Sequence, residues 1–113
     1  LGEELRALCH ITGGGLPENL PRVLPEAIAL ELDLASYERP ALFRAIEAGG
    51  LVSELEMRRT FNLGVGLVAV VAAEAAQRTI ELFEAQGERA WVLGRVAEAG
   101  AGVRVRFVGD PVV

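Results

Sequence analysis

The sequence predicts an α+β domain in which a mixed or antiparallel sheet is backed by helices. Residues 27–34 alternate apolar and polar side chains with period two, whereas residues 40–48 and 74–86 repeat their apolar side chains at helical spacing. Extended and helical patterns alternate along the chain without an internal repeat, and glycine-rich connections separate them. We therefore expect a ferredoxin-related, split βαβ arrangement.

The first predicted elements lie on either side of a glycine-rich loop. Residues 2–8 carry two leucines at helical spacing behind two glutamates, which predicts the tail of a helix. Residues 27–34 predict a strand with one solvated face. The helix predicted over 40–48 opens with a proline, and Gly49 and Gly50 follow it as a stop signal.

The middle of the chain predicts two helices around a strand. Residues 51–59 mix apolar and acidic side chains, which favours a short helix. The valine-rich run 63–73 is interrupted by glycines and is best interpreted as a buried central strand. Residues 74–86 form an amphipathic pattern that ends at Gly87, so we expect a helix there.

Two further strands are predicted near the end of the chain, over 89–97 and 103–108. The connection between them, residues 98–102, is rich in glycine and alanine. A short connection of this kind is typical of a hairpin, so we expect the two strands to pair with each other.

Length and composition indicate one domain. The chain has 113 residues, of which 51% are hydrophobic and 24% charged, with a mean hydropathy of +0.33. A chain of this composition is too apolar to be disordered, and its mean hydropathy is high for a freestanding domain. We therefore expect a partner to cover part of its apolar surface. Because the chain begins at Leu1 and not at Met, we also expect that it was excised from a longer polypeptide.

The charge of the chain argues against nucleic-acid binding. The formal net charge is −5 and the pI is about 4.9, so the field of the domain repels a phosphodiester backbone. All 11 basic residues are arginines, which excludes a catalytic lysine. Arginine side chains and backbone amides remain as the strong donors to anions.

Cysteine and histidine usage favours a reducing compartment and no metal site. Cys9 is the single cysteine and His10 the single histidine, so neither an internal disulfide nor a Cys/His zinc site is expected. The longest apolar run, residues 64–73, is too short for a bilayer, and no secretory signal precedes it. We expect a cytoplasmic protein with no membrane partner.

The most informative motif is the triple glycine within residues 10–25, HITGGGLPENLPRVLP. Consecutive glycines are tolerated where the backbone turns through positive φ or approaches a ligand closely. Pro17 then pre-sets the φ angle of a first helical turn. The loop is therefore a candidate cradle of backbone N–H groups for a phosphate or carboxylate.

Three blocks of the chain resemble one enzyme family in the right order. Besides residues 10–25, these are residues 57–67, MRRTFNLGVGL, and residues 87–96, GERAWVLGRV. Together they resemble the C-terminal half of phosphoribosylformylglycinamidine cyclo-ligase, also called aminoimidazole ribonucleotide synthetase. The chain departs from the family pattern at Leu63 and Leu67, where the family has methionine.

The resemblance implies an ATP-dependent ligase of de novo purine biosynthesis. Family members activate the formyl oxygen of formylglycinamidine ribonucleotide as a phosphate ester, and the amidine nitrogen then closes the imidazole ring. ATP and Mg²⁺ would be bound mainly by the N-terminal half, which the resemblance implies as a partner domain. It also implies that residues 1–113 are a single domain, the C-terminal half of a two-domain ATP-dependent synthetase. The full-length enzyme would be a homodimer with the same C-terminal fold, and the isolated domain would be inactive.

The first block supplies most of the candidate site residues. The backbone amides of Gly13, Gly14 and Gly15 and the hydroxyl of Thr12 could hold the phosphoribosyl substrate, and the alternative is a tight turn packed on a neighbouring strand. His10 is the tentative catalytic residue, because an imidazole can move the protons that cyclisation requires. The alternative for His10 is a structural hydrogen bond, which is commoner for an isolated histidine.

Three more candidates complete the set. Asn19 is included among the substrate-binding residues, although closing the loop through its side-chain amide is the favoured interpretation. Arg59 and Asn62, in the second block, are candidates for an interdomain site where a guanidinium would neutralise charge on a transferred phosphoryl group. No metal ligand is expected on this chain.

Two other functions stay open from the sequence. One is a non-catalytic module that binds a phosphorylated metabolite or another subunit without turnover. The other is a different member of the same superfamily, such as the synthetase that makes the substrate, or the selenophosphate and thiamine-monophosphate kinases. The second block and the glycine loop favour the cyclo-ligase.

Overall fold

The computed structural model describes residues 2–50, 52–99 and 104–111. Within these ranges the chain forms five strands and four α-helices, with short 3₁₀ turns beside several of them. In chain order they are β1 (Leu5–His10), α1 (Gly15–Asn19), β2 (Ile28–Asp33), α2 (Ala41–Gly50), α3 (Glu54–Thr60), β3 (Leu67–Val71), α4 (Ala76–Ala85), β4 (Gly94–Glu98) and β5 (Val105–Val108).

The strands form two sheets. Strands β1 and β3 pair antiparallel, whereas the second sheet has the order β4-β2-β5, with β4 antiparallel and β5 parallel to β2. Antiparallel and mixed sheets packed with helices confirm the predicted α+β class. The ferredoxin-related arrangement stays a prediction.

Four local predictions are confirmed with small shifts in their bounds. Strand β2 falls within 27–34, and helices α2 and α4 match the predictions over 40–48 and 74–86. Gly49 and Gly50, expected to lie beyond α2, are its last two residues. The short helix predicted over 51–59 is α3, and it begins after Ser53, whose hydroxyl accepts a hydrogen bond from the Glu56 amide at 3.2 Å.

The predicted helix over 2–8 is wrong, because residues from Leu5 onward form strand β1. The register runs from Leu5 opposite Val71 to His10 opposite Leu67. Leu8, whose spacing from Leu5 suggested a helix, is 49% exposed, while Cys9 beside it is buried. Pairing with a strand some sixty residues away outweighs the weak helical preference of this short segment.

The run 63–73 is not a buried central strand. Only Leu67–Val71 is extended, within the two-stranded sheet, and no residue of β3 is fully buried. The preceding residues turn instead, since Leu63 and Gly64 both have positive φ. Positive φ is incompatible with a continuing strand, so the strand begins only after the turn.

The predicted hairpin between residues 89–97 and 103–108 is also wrong. Strands β4 and β5 lie on opposite sides of β2, so that Leu30 is opposite Val96 on one side and Val105 on the other. Strand β2 offers both of its edges for pairing, and Leu30 and Leu32 are buried at the centre of the sheet. Of the predicted connection 98–102, residues 100–102 lie outside the described residues.

The core lies directly beneath the glycine loop. A cluster of buried apolar side chains joins β1, α1 and β2 to the segment that follows each of them, and its members are Cys9, Ile11, Leu16, Leu20, Leu30, Leu32, Tyr37 and Val65. Leu16 and Leu20 are almost completely buried, and each such side chain stabilises the fold by about 2 kcal/mol. The loop therefore rests on a well-packed support.

A large apolar groove lies beside this core. It has a volume of about 1160 Å³ and is lined by β3, α4 and residues 88–96.

Within the described parts of the chain, no helix is both long enough and apolar enough to cross a membrane.

A buried ion pair fixes α3 in place. Arg39 is 2% exposed and donates to both carboxylate oxygens of Glu54, at 2.8 and 3.0 Å, while the Arg58 Nε donates to the same carboxylate at 2.9 Å. The hydrogen bonds from Arg39 hold the pKa of Glu54 below its ordinary value. A lowered pKa in the folded state means that the pair stabilises the protein above the pKa of the unfolded carboxyl group.

We expect Glu54→Gln to lower the free energy of unfolding by about 2 kcal/mol at pH 7, because it leaves the buried Arg39 charge with only the more distant Glu47 carboxylate, at 3.8 Å, as an ionic partner. The loss should shrink as pH falls below the pKa of an unfolded glutamate, about 4.3, and then through the lowered pKa of the native Glu54 carboxyl group. Urea unfolding across this pH range measures both effects. Glu56→Gln is the matched control, since it breaks only the exposed pair with Arg59, and an equal loss in both variants would contradict the assignment.

Candidate functional site

The glycine loop connects β1 to α1 by a tight turn. The Gly15 amide donates to the Thr12 carbonyl at 3.0 Å and closes the turn. Gly14 and Gly15 have φ angles of 94° and 65°, which glycine adopts without steric cost. The tandem glycines are therefore required by the backbone path of this turn.

Asn19 ties the loop together from the inside. It is 4% exposed, and its amide nitrogen donates to the carbonyl oxygens of Thr12, Gly13 and Gly15 at 3.1, 3.4 and 2.7 Å. Its amide oxygen accepts a hydrogen bond from the Thr12 hydroxyl at 3.0 Å. Asn19 thus closes the loop, the favoured interpretation from the sequence, and turns the loop carbonyls inward.

This inward orientation of the carbonyls exposes two backbone amides. In a trans peptide the N–H points opposite to the C=O, so the N–H groups of Gly13 and Gly14 point away from Asn19. Neither has a hydrogen-bond partner among the residues that the structure describes, whereas the Gly15 amide is already bonded within the turn. Of the three glycine amides considered from the sequence, two are directed outward.

A carboxylate lies beside these amides. The Glu18 side chain crosses over Gly14, so that a Cβ at Gly14 would collide with the Glu18 carboxylate. The Gly13 side of the loop is open, with no atom within 4 Å of the position that a Cβ would take. Because like charges repel, an anion would approach the two amides from the Gly13 side.

The structure brings the first and second sequence blocks together. Gly15 lies against the end of α3, where a Cβ would collide with the Arg58 carbonyl oxygen and lie 2.7 Å from that of Phe61. The Ile11 amide donates to the Gly66 carbonyl at 2.9 Å. The loop is therefore supported at both ends by residues 58–66.

Between these two contacts the second block makes an unusual turn. The Val65 amide donates to the Asn62 carbonyl at 3.0 Å, and the central residues Leu63 and Gly64 have φ angles of 57° and 95°. Two successive positive φ angles are typical of a type I′ turn, which normally has Asn or Gly at its two central positions. A left-handed leucine costs about 1 kcal/mol, so its neighbours must hold it in place.

The two candidate residues of this block have structural partners. The Asn62 side-chain oxygen accepts from the Gly64 amide at 2.8 Å and so supports the turn. The Arg59 guanidinium lies 3.2 Å from Glu56 on the same helix and its side chain is 63% exposed. Arg59 directly follows Arg58, whose carbonyl oxygen lies against Gly15, and an exposed ion pair of this kind holds its side chain only weakly.

Comparison with known proteins identifies the family. The model of the AIR synthase related protein, C-terminal domain, matches residues 1–106. The chain belongs to this family. It is 63% identical over 99 residues to phosphoribosylformylglycinamidine cyclo-ligase of Sorangium cellulosum (strain So ce56), a match that covers 88% of this chain. The chain spans only 28% of the length of that relative. The resemblance predicted from the three blocks is confirmed.

In this AIR synthase related domain, His10 is not placed with the glycine loop. It is the last residue of β1, opposite Leu67, and its exposed side chain lines the apolar groove. The catalytic role of His10 stays a prediction.

Three features of the AIR synthase related domain escaped sequence reasoning. The exposed Glu18 side chain covers Gly14. The Tyr37 hydroxyl donates to the Leu63 carbonyl at 3.0 Å, in a buried contact between residues 26 positions apart. Arg39 is buried despite its charge. Only the Glu18 contact has a local signal, its spacing of four residues from Gly14.

Metal-ligating side chains do not cluster in the part of the domain that the structure describes. Over residues 2–50, 52–99 and 104–111, no three side chains of His, Cys, Asp or Glu come close enough to share one. The donors of this loop are backbone amides, which bind anions and not Mg²⁺. The residues described here therefore do not fit a magnesium site by themselves.

Proposed function

We propose that this chain is the C-terminal part of an ATP-dependent cyclo-ligase that converts formylglycinamidine ribonucleotide to aminoimidazole ribonucleotide. The observation that carries the proposal is the 63% identity to a phosphoribosylformylglycinamidine cyclo-ligase over 88% of the chain. Membership of the AIR synthase related family supports the same assignment. These relationships indicate a cyclo-ligase domain of purine biosynthesis.

In this proposal the glycine loop contacts the phosphoribosyl substrate. The outward amides of Gly13 and Gly14 donate to an acceptor on the substrate, and Asn19 and Thr12 hold the loop in the conformation that exposes them. Gly15 joins the loop to the second block, which carries Arg59 and Asn62. An exposed arginine beside the loop would neutralise charge on the phosphoryl group as the formyl oxygen is activated.

The remainder of the polypeptide supplies what this chain lacks. ATP and Mg²⁺ are proposed to bind mainly to an N-terminal half, and the complete enzyme to be a cytoplasmic homodimer. We also propose that the isolated domain is inactive.

The test compares the complete polypeptide that carries this chain with residues 1–113 alone. Both are assayed for ATP-dependent formation of aminoimidazole ribonucleotide. We expect turnover by the complete polypeptide only, and an unchanged rate in its Glu26→Gln variant, which removes an exposed carboxylate outside the loop. A complete polypeptide that binds the substrate without turning it over would support the non-catalytic module instead.

A further inference from the structure

The turn formed by Asn62 to Val65 has a backbone that its own sequence does not favour. Leu63 is the one residue other than glycine with positive φ in the described ranges, and its side chain is completely buried. Leucine has no side-chain group that can stabilise this conformation locally, as Asn or Asp can. Contacts from other parts of the chain must therefore hold it.

Tyr37 provides the main contact from outside the block. It is 6% exposed, and its hydroxyl donates to the Leu63 carbonyl at 3.0 Å. Burial raises the pKa of Tyr37, so the hydroxyl keeps its proton and remains a donor. The ring is fixed in turn by stacking on Trp91, with 4.9 Å between the ring centroids. A rigid donor is thus directed at the carbonyl of the left-handed residue.

The turn lies between the two contacts that support the glycine loop. Before it, the Phe61 carbonyl lies against Gly15, and after it, the Gly66 carbonyl accepts the Ile11 amide at 2.9 Å. Rotation of the turn would change the spacing of these two supports. The position of the loop therefore depends on how firmly Leu63 is held.

We infer that Tyr37 is a positioning residue for the glycine loop. Its hydroxyl holds Leu63 in the left-handed conformation, and the turn then fixes both ends of the loop so that the Gly13 and Gly14 amides face the substrate. Tyr37 acts through the turn, because its hydroxyl is already bonded to the Leu63 carbonyl. The kinetic consequence rests on the proposed function, whereas the effect on loop geometry does not.

The test uses Tyr37→Phe in the complete polypeptide, because phenylalanine removes only the hydroxyl and keeps the stack on Trp91. Thr79→Val is the matched control. Thr79, on α4, is also buried, and its hydroxyl donates to the backbone carbonyl of Ala75 at 2.8 Å. We expect Tyr37→Phe to raise the KM for the phosphoribosyl substrate about tenfold, with kcat and the KM for ATP within threefold of the parent. Thr79→Val should leave all three unchanged.

Amide chemical shifts give a readout that needs no turnover. With ¹⁵N-glycine labelling, we expect the Gly13 and Gly14 signals of the ligand-free polypeptide to move in Tyr37→Phe and to stay in place in Thr79→Val. Unmoved loop signals in Tyr37→Phe, or the same kinetics in both variants, would overturn the inference. A parent polypeptide without cyclo-ligase activity would defeat the proposed function, while moved loop signals would still support the positioning role.

Discussion

Gly15→Ala is expected to destabilise the protein by about 3 kcal/mol or more and to abolish substrate binding by the glycine loop. The new Cβ would collide with the Arg58 carbonyl oxygen and crowd that of Phe61, and both are backbone atoms that cannot swing aside. Alanine would also be held at a φ of 65°, which is unfavourable for any residue with a Cβ. Urea unfolding measures the loss of stability. The KM for the phosphoribosyl substrate measures the loss of the proposed contact between the loop and the substrate.

Gly13→Ala is the matched control for this prediction. Gly13 does not have positive φ, and no atom lies within 4 Å of the position of its missing Cβ. We expect its free energy of unfolding to stay within about 1 kcal/mol of the parent. Similar losses in the two variants would show that the close contact between Gly15 and the second block is not what makes the glycine necessary.

Asn19→Asp should cost about 3 kcal/mol of stability although it changes only one side-chain atom. Asn19 is buried and donates to three carbonyl oxygens of the loop, whereas an ionised aspartate cannot donate and would face those oxygens with a negative charge. Without these bonds the Gly13 and Gly14 amides lose their fixed direction. We expect a lower urea midpoint and a large increase in the substrate KM.

Asn62→Asp makes the same chemical change where only an acceptor is used. The Asn62 oxygen accepts from the Gly64 amide at 2.8 Å, and a carboxylate oxygen can replace it. Its stability should remain within about 0.5 kcal/mol of the parent. If Asn19→Asp were equally harmless, Asn19 could not be the residue that holds the loop together.

The parts of the fold that the sequence predicts correctly are those with a strong local pattern. Strand β2 and helices α2 and α4 have clear periodicity, and proline or glycine residues lie near their ends. In long, periodic segments the local preference for helix or strand determines the secondary structure with little contribution from the rest of the chain. Their identities were therefore predictable, and their ends only to within a few residues.

Two of the wrong predictions, the helix over 2–8 and the hairpin, share one physical cause, which is pairing between distant segments. Strand β1 is extended because β3 pairs with it, and β4 and β5 are separated because β2 pairs with both. The position of Leu8 in the sequence does not show whether it is an exposed residue of a strand or a residue on the apolar face of a helix. The choice of partner is a property of the whole chain, and local spacing does not encode it.

The candidate site also contains some features that a local sequence pattern predicts and others that depend on distant contacts. The triple glycine and Asn19 lie within eight residues of each other, so the local pattern predicted both the loop and its closure. The left-handed Leu63 and its bond to Tyr37 had no signal, because a buried leucine is normally core. Its conformation depends on contacts that only the fold creates.

The glycine loop as a substrate contact is best examined by titrating the ¹⁵N-glycine-labelled complete polypeptide with formylglycinamidine ribonucleotide. We expect the Gly13 and Gly14 amide signals to shift together and saturably, and the Gly15 signal to shift less because its N–H is already bonded to Thr12. Signals of Gly13 and Gly14 that stay in place at saturating substrate would contradict the assignment of this loop to the site.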